Sequence, residues 1–517
     1  MTFKQPTAAQ LREVGAELGL DMSDDDYVET LRAYLAPFCE AYAFVGQLAE
    51  DLPPVKYPRT PGYRPEGDDN PYGAWYVKTT VEGAPSGPLA GGTVAVKDTV
   101  CLAGVPMMNG ASVLEGYVPE VDATIVTCLL DVGATILGKS VCEYFSVAGG
   151  SHTSASGLVE NPRKAGHTPG GSSSGSAALV GGGEVDMGIG GDQAGSIRIP
   201  ASSSGVVGMK PTHGLVPYTG VMSIEPTIDH AGPMTADVAD NARFLEVMAG
   251  PDGLDARQGG CRVERYTQVL DRDIKGLRVG VVHEGFGTPD SEPDVDQLVR
   301  KAAKSLAKLG AEVEEVSVPW HTFAVPLWVP LTLEGTYFTL VSTNGLGVGR
   351  QGLYVNSLAN PLSALRERAN ELPDTARIIL MLARYSLKNH GMRFYGKAQN
   401  LRRRLRAAYD AALENHDVLV MPTTTMKATP IPPPDAPFEE RMQRSWENIG
   451  NTCAFNVTGH PSLSIPCGVS DDRPVGLMIT GRHWQEAMLY RVAHAFERSV
   501  DWRAAGPTKK TKRRKRT

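Results

Sequence analysis

The sequence has little of what marks secreted, membrane-spanning or zinc-thiolate proteins. Its seven cysteines are an odd number in 517 residues, are widely spaced and include no C-x-x-C pair, which argues against a disulfide framework and a thiolate zinc site. No apolar run is long enough to cross a bilayer, and the N-terminal stretch MTFKQPTAAQ has no apolar signal core. We therefore expect a cytoplasmic protein with no membrane partner.

The chain also lacks the basic excess that nucleic acid binding requires. Its formal net charge is −7, with 42% hydrophobic and 21% charged residues, as in an ordinary globular protein. The local exception is the segment 509–516, in which seven of eight side chains are basic. We expect the C-terminal residues 501–517 to form a disordered, solvated tail, and we expect no nucleic acid partner.

Alternating strand and helix patterns organise most of the chain. Short β-type runs at 93–96 and 277–282 are each followed by a helical stretch, and the alternation returns after residue 416. This pattern predicts an α/β protein with five segments. They are a helical extension with a Pro/Gly-rich connector that looks irregular (1–89), the first part of the core (90–319), a helical insertion forming a wall of the substrate pocket (320–415), the second part of the core (416–500) and the tail (501–517).

Two glycine- and serine-rich turns lie close together in the sequence: GGSSSGS at 170–176 and DQAGS at 192–196. Glycine lets such turns bring backbone N–H groups close to a bound atom, and their serines can act as nucleophile, proton carrier or anion ligand. The first turn contains a G-x-S-x-G frame, but the preceding AGHTP is not the strand that a lipase elbow needs, and Ser176 stands where a P-loop has lysine. Residue types alone leave open whether these turns are structural crossings or a catalytic site.

Three motifs together resemble the amidase signature family. They are GGTVAVKDTV around Lys97, PGGSSSGSAA around Ser172 and GGDQAGSIRIP around Ser196. The separation of 24 residues between the two serines is also that of the family. Further similar blocks begin at residues 228, 417 and 455, so the resemblance extends from about residue 90 to residue 498. Within the family, the chain looks most like the bacterial amidases of nitrile breakdown.

The resemblance implies an amidase signature fold, a large mixed and twisted β-sheet covered by helices on both faces. It implies a triad in which Ser196 is the nucleophile, Ser172 relays the proton after a cis peptide bond, and Lys97 is the general base. A buried lysine can act as a base because burial disfavours its charged form. The oxyanion hole would consist of the backbone N–H groups of Gln193, Ala194, Gly195 and Ser196. No cofactor and no metal are implied, and there is no H-E-x-x-H motif.

Two positions depart from the family pattern, because Ala194 and Ser174 stand where glycine is usual. Alanine keeps its N–H but tolerates a positive φ poorly, so we expect an altered oxyanion hole or altered space near the leaving group. The remaining polar residues of these motifs are predicted to have structural roles. Asp98, Asp192 and Arg198 are expected to be structural ties, and Asp229 and His230 a structural pair rather than a pair that polarises the substrate.

The predicted activity is hydrolysis of a carboxylic amide to an acid and ammonia or an amine, through an acyl-enzyme. Carbamates, urethanes, anilides and esters use the same acyl chemistry, so a urethane, aryl-amide or ester hydrolase stays open. Also open are the amidase component of a tRNA-dependent amidotransferase, which needs a stable partner chain, and a non-catalytic binding protein. We expect a small-molecule amide or carbamate as ligand and a homo-oligomer, a dimer, as assembly.

Overall fold

Residues 3–502 are described in the computed structural model of the chain. They fall into two units, with the boundary between Pro53 and Pro54. The predicted tail at 501–517, including its basic run, lies outside the described residues except for its first two positions. No helix within residues 3–502 is long and apolar enough to cross a membrane.

Two helices make up the N-terminal unit, α1 (Ala8–Leu18) and α2 (Asp25–Val45). Thr7 begins α1 with a capping box: its hydroxyl accepts from the N–H of Gln10 at 3.3 Å, and its own N–H donates to the Gln10 side chain at 2.9 Å. Asp24 caps α2 by accepting a backbone N–H of the first turn at 3.1 Å. The helical extension predicted from the sequence is therefore present.

Eleven strands of the described chain form one mixed sheet in the second unit. In chain order they are β1 (Trp75–Glu82), β2 (Thr93–Lys97), β3 (Thr135–Ser140), β4 (Met187–Asp192), β5 (Val207–Lys210), β6 (His230–Thr235), β7 (Arg278–Val282), β8 (Glu312–Val316), β9 (Val418–Pro422), β10 (Ser462–Ser470) and β11 (Arg473–Thr480). Their order across the sheet is β1-β3-β2-β4-β6-β5-β10-β11-β9-β7-β8. β2 is parallel to both β3 and β4, and β7 is parallel to both β8 and β9.

The other described helices belong to the second unit, and several of them pack directly on strands of the sheet. They are α3 (Thr124–Asp131), α4 (Ser174–Gly182), α5 (Arg198–Ser204), α6 (Val238–Met248), α7 (Pro293–Lys308), α8 (Ala324–Tyr337), α9 (Ala359–Ser363), α10 (Asp374–His390), α11 (Arg393–Asn415), α12 (Phe438–Trp446), α13 (Cys453–Thr458) and α14 (Glu486–Ser499). In α7, the buried residues Val295, Val299, Ala302 and Leu306 recur at helical spacing, and the helix packs on β9, β10 and β11. The predicted α/β class and mixed-sheet architecture are confirmed.

The connector before residue 89 is not irregular throughout, which corrects the interpretation from sequence. It contains β1, an edge strand that pairs antiparallel with β3. The second half of β1 alternates between buried and more exposed residues, as an edge strand with one covered face does. Proline and glycine crowd the sequence on both sides of the strand and obscure this short alternation.

The range 320–415 is built from helices, including α8, α10 and α11. Trp328 on α8 is buried, and so is Ile379 on α10. The basic run of this range lies on α11, where Leu405 and Tyr409 supply the buried face. The chain then re-enters the sheet through β9.

Candidate active site

Three predicted catalytic residues meet at one edge of the sheet. Lys97 is the last residue of β2, Ser172 lies in the turn before α4, and Ser196 lies in the turn between β4 and α5. β2 and β4 are adjacent and parallel, so their carboxyl ends open at the same edge, where α/β proteins place their ligands. All three side chains are buried, with residue exposures of 0%, 0% and 6%.

The Lys97 ammonium group is buried against the first turn. Its Nζ lies 2.9 Å from Oγ of Ser172 and 3.3 Å from the carbonyl oxygen of Gly191. Burial lowers the pKa of Lys97 to about 8, although nearby acidic groups, including Asp192 and Glu143, act in the opposite direction. A substantial fraction of this lysine is therefore a neutral amine near neutral pH, within hydrogen-bond reach of a serine hydroxyl.

The two turns are tied to each other through their backbones. The peptide bond between Gly171 and Ser172 is cis, as the resemblance implied. The N–H of Ser173 donates to the carbonyl oxygen of Ser196 at 3.3 Å, and the Ser173 hydroxyl bridges to the backbone of Gly191. Among residues 3–502, no hydrogen bond joins the hydroxyls of Ser172 and Ser196 directly. Catalytic hydrogen bonds often tighten only when substrate is bound, so this geometry is compatible with a proton relay.

The second turn holds its carbonyl oxygens in hydrogen bonds and leaves its amides free. Trp328 Nε1 donates to the carbonyl oxygen of Gln193 at 2.8 Å, and the Thr452 hydroxyl donates to that of Ala194 at 2.5 Å. Within the described chain, the N–H groups of residues 193 to 196 have no hydrogen-bond acceptor. Four unpaired amides beside a nucleophilic hydroxyl can stabilise a developing oxyanion.

Ala194 does not need the positive φ that alanine tolerates poorly, so no altered backbone follows from that residue, and altered space near the leaving group stays a prediction. The positive φ falls on the next residue, Gly195, at 144°, and Ala194 itself has none. A Cβ added at Gly195 would collide with the Thr452 side chain. That position therefore requires glycine for two reasons, its positive φ and the lack of space for a side chain. The methyl group of Ala194 belongs instead to the wall of the substrate cavity. Ser174, the other departure, begins α4 and is buried.

A buried ion pair supports the same turn. Arg198 donates from Nε and Nη2 to the two carboxylate oxygens of Asp192 at 3.0 and 2.9 Å. The carboxylate also accepts from the N–H of Ile197 and from the side chain of Asn456. Burial by itself raises the pKa of Asp192, but the charge and hydrogen bonds of Arg198 outweigh it and bring the pKa to about 2. These contacts agree with the predicted role of both residues as structural ties.

Asp98 is tied in a similar way next to Lys97. Its carboxylate accepts from the N–H of Met108 at 3.0 Å and lies 3.4 Å from Nζ of Lys139. Burial raises the pKa of Asp98 to about 6, against the opposing effect of Lys139. Asp98 therefore contacts the surrounding backbone and Lys139, in agreement with its predicted role as a structural tie.

The predicted pairing of Asp229 with His230 is wrong. Asp229 accepts from the hydroxyl of Ser223 at 2.6 Å, whereas His230 Nδ1 lies 2.7 Å from a backbone oxygen at residue 228. Burial raises the pKa of Asp229 to about 7, while a hydrogen bond with Gln193 acts to lower it. Gln193 also bonds the hydroxyl of Tyr218 at 2.9 Å. Asp229 and Tyr218 therefore contact the side chain of Gln193, a residue of the predicted oxyanion hole, and no sequence motif signals this role.

A small cavity of about 30 Å³ opens at Ser196. None of the described residues that line it is charged, and two tryptophans, Trp328 and Trp446, lie with ring centroids 6.2 Å apart in its wall. It is lined by Ser146, Val147, Ala148, Gly149, Gly171, Gln193, Ala194, Ser196, Ile199, Ile224, Trp328, Thr332, Ile379, Trp446 and Ile449. A larger groove shares both tryptophans, Ile379 and Ile449 with it and extends toward the surface. Such a wall favours apolar groups.

This fold and this site define a class of enzyme. The chain matches the Amidase family over residues 74–490, which is most of its length. It belongs to the amidase signature family and is an amide hydrolase.

Individual relatives sharpen the comparison. The chain is 44% identical to the enantioselective amidase of Rhodococcus rhodochrous over 482 residues, which cover 92% of each protein. It is 37% identical to a glutamyl-tRNA(Gln) amidotransferase subunit of Exiguobacterium sibiricum, over 79% of this chain and 84% of that one. Among solved structures, the peptide amidase of Stenotrophomonas maltophilia is similar with a TM-score of 0.67 and 32% identity, over 81% of this chain and 84% of that one.

Proposed function

We propose that the chain hydrolyses uncharged carboxamides with an apolar acyl group, using Ser196, Ser172 and Lys97 as a catalytic triad. The observation that carries this proposal is the 2.9 Å contact of a fully buried lysine with the Ser172 hydroxyl, beside an uncharged cavity that opens at Ser196. A serine hydroxyl is a weak nucleophile and needs such an adjacent base.

In the proposed acylation, neutral Lys97 accepts a proton from Ser172, which in turn takes the proton of Ser196. The Ser196 oxygen attacks the amide carbonyl, and the negative charge that develops on the carbonyl oxygen is stabilised by the free amides of residues 193 to 196. The C–N bond then breaks as Lys97 returns its proton through Ser172 to the leaving nitrogen. Ammonia leaves, and Ser196 carries the acyl group as an ester.

Deacylation repeats these proton transfers with water in place of the amine. Neutral Lys97 accepts the water proton through Ser172, the resulting hydroxide attacks the ester, and Ser196 leaves with the returned proton. The balanced reaction is one amide and one water giving one acid and one ammonia. A primary or secondary amine leaves in the same way when the amide nitrogen is substituted.

The lining of the cavity supports an apolar acyl group. Trp328, Trp446 and Ile379 offer flat and branched apolar surface, and none of the described residues that line the cavity itself could pair with a charge on the substrate. A free carboxylate or ammonium group would lose its hydration there without compensation. The Rhodococcus relative is named for enantioselectivity, and a rigid wall of two indole rings is suited to distinguishing branched acyl groups by shape.

A second candidate is the amidase component of a tRNA-dependent amidotransferase, because glutamyl-tRNA(Gln) amidotransferase subunits are 34% to 37% identical to this chain. The match to the Rhodococcus amidase favours the hydrolase, since it extends over 92% of this chain rather than 79%. Carbamates, anilides and esters stay open as alternative substrates, because they react by the same acyl chemistry. Release of ammonia from a simple amide by the purified chain alone would exclude an obligatory amidotransferase partner.

The test is a hydrolysis panel of aliphatic amides, aryl amides, anilides, carbamates and esters with wild type and Ser196→Ala. We expect turnover of neutral apolar amides by wild type and a loss of about 10⁴-fold or more in the variant. Ser202→Ala is the matched control, because this buried α5 serine contacts the Thr424 hydroxyl and lies outside the cavity. Retained activity in folded Ser196→Ala, or a preference for charged acyl groups, would contradict the proposal.

A further inference from the structure

Two histidines and an aspartate from separate segments meet at a place that the proposed reaction does not use. Asp410 lies on α11, His460 lies between α13 and β10, and His483 follows β11. His460 Nε2 is 3.0 Å and His483 Nδ1 is 4.0 Å from the same carboxylate oxygen of Asp410. All three potential ligand atoms lie within 4.8 Å of one another.

The remaining ring nitrogens have the partners that metal-binding histidines need. His483 Nε2 lies 3.1 Å from the carbonyl oxygen of Thr458, which can only accept, so this nitrogen carries the hydrogen and Nδ1 keeps its lone pair. His460 Nδ1 lies 2.9 Å from the hydroxyl of the same threonine. When the Thr458 hydroxyl accepts a hydrogen bond from His460 Nδ1, the lone pair of the ring is on Nε2, which faces Asp410. Thr458 thus orients both rings from outside the cluster, as supporting residues of metal sites do.

The cluster lies at the border between the interior and solvent. The Asp410 side chain is 48% exposed, so an ion can reach the cluster from solvent while His460 is fully buried.

Two cationic side chains oppose an ion at this position. Arg406 Nε lies 3.6 Å from the second carboxylate oxygen of Asp410, and its side chain is half exposed. Lys210 Nζ donates to the carbonyl oxygen of His460. Arg406 contacts the oxygen that does not face the histidines, so it weakens the site without occupying it. This opposition supplies a test, because removing the Arg406 charge should strengthen binding.

We propose that Asp410, His460 and His483 bind a divalent transition-metal ion, with Zn²⁺ as the occupant that two imidazole nitrogens and one carboxylate oxygen favour. Tetrahedral zinc at about 2.0 to 2.2 Å from each ligand needs ligand atoms about 3.3 Å apart. The two histidine nitrogens lie 3.0 and 4.0 Å from the Asp410 oxygen, so His483 must move closer as the ion binds. The proton on His460 Nε2 moves to Nδ1 as the ion binds, so no net proton is released. Water fills the fourth position. The ion joins α11 to the segments before β10 and after β11 and takes no part in the proposed hydrolysis.

The experiment titrates Zn²⁺ into the chelator-treated, metal-free full-length protein by calorimetry and follows thermal unfolding with and without the ion. We expect one equivalent to bind and to raise the melting temperature. His483→Ala and Asp410→Asn should each weaken binding at least about tenfold, and Arg406→Gln should tighten it. His390→Ala, a histidine of α10 outside the cluster, is the matched control and should bind like wild type.

The seven thiols are the competing ligands in this experiment, and Co²⁺ separates them from the cluster. An imidazole and carboxylate site gives visible d–d bands without a thiolate charge-transfer band. No binding by wild type, a thiolate band, or unchanged affinity in both His483→Ala and Asp410→Asn would overturn the proposal. Asp410→Asn keeps the size of the side chain, so the test survives if His483→Ala does not fold. Because the readout is metal binding, failure leaves the triad proposal untouched.

Discussion

The rate of amide hydrolysis should rise with pH until Lys97 has lost its proton. In the proposed mechanism the neutral amine is the active form, and burial lowers the pKa of Lys97 from 10.5 to about 8. This change corresponds to about 3 kcal/mol in favour of the neutral form. At pH 7 it increases the neutral fraction from about 0.03% to about 10%. The enzyme therefore gains about 300-fold in competent base from the burial of one ammonium group.

The assay is kcat/KM for a neutral apolar amide between about pH 5.5 and about pH 9.5. A substrate without an ionisable group ensures that the profile reports the enzyme. We expect a tenfold rise per pH unit on the acid side and a plateau above about pH 8. Thermal unfolding at each pH serves as the control that the protein stays folded.

Two other buried groups titrate nearby and must be separated from Lys97. The pKa of Asp98 is raised to about 6 and that of Asp229 to about 7. In Asp229→Asn, the rise with pH should persist and its midpoint should move to lower pH, because the Asp229 charge raises the pKa of Lys97. In Lys97→Met, the residual rate should be lower by about 10³-fold or more and should no longer follow this profile. A wild-type rate that is flat from pH 5.5 to 8 would refute the role of Lys97 as the base.

Three further substitutions test how the site is held. Ala194→Gly should leave folding intact and shift selectivity between large and small acyl groups by about fivefold, since one wall methyl group contributes about 1 kcal/mol. Paired amides in competition measure this shift, and a collapse of kcat would contradict a purely steric role. Trp328→Phe removes the 2.8 Å hydrogen bond to the Gln193 carbonyl oxygen but keeps an aromatic wall. We therefore expect kcat to fall about tenfold, with a smaller change in KM. An unaltered kcat would show that the turn does not need this hydrogen bond. Arg198→Met leaves the Asp192 carboxylate buried without its cation. The free energy of unfolding, measured by urea titration, should therefore fall by about 3 to 5 kcal/mol. Unchanged stability would contradict this prediction.

Much of the fold could be predicted because the pattern of apolar residues within a single segment indicates a helix or a strand. The helical spacing of apolar residues in α7 and the short β-type run of β2 are each visible within one segment. β1 was missed because its alternation covers eight residues between stretches rich in proline and glycine. The order of the eleven strands was not predicted, since neighbours such as β5 and β10 lie far apart in the chain.

The site shows the same division. The motifs placed Lys97, Ser172 and Ser196 correctly at the ends of strands and in turns, because those turns are set by the local glycines. The sequence did not show that the positive φ falls on Gly195 rather than on Ala194, because the position is fixed by Thr452, which packs on the turn from a distant segment. Trp328 could not be linked to Gln193 from sequence, since 135 residues separate them.

By itself, the sequence determined the family and the α/β alternation and predicted the reacting groups, because these depend on side-chain chemistry and on backbone preferences within a few residues. Only the tertiary structure decided which groups share a site. It buried Lys97 and so lowered its pKa, it built an uncharged cavity from separate parts of the chain, and it brought Asp410, His460 and His483 together. Desolvation and contact between remote segments arise from packing, and no single stretch of sequence records them.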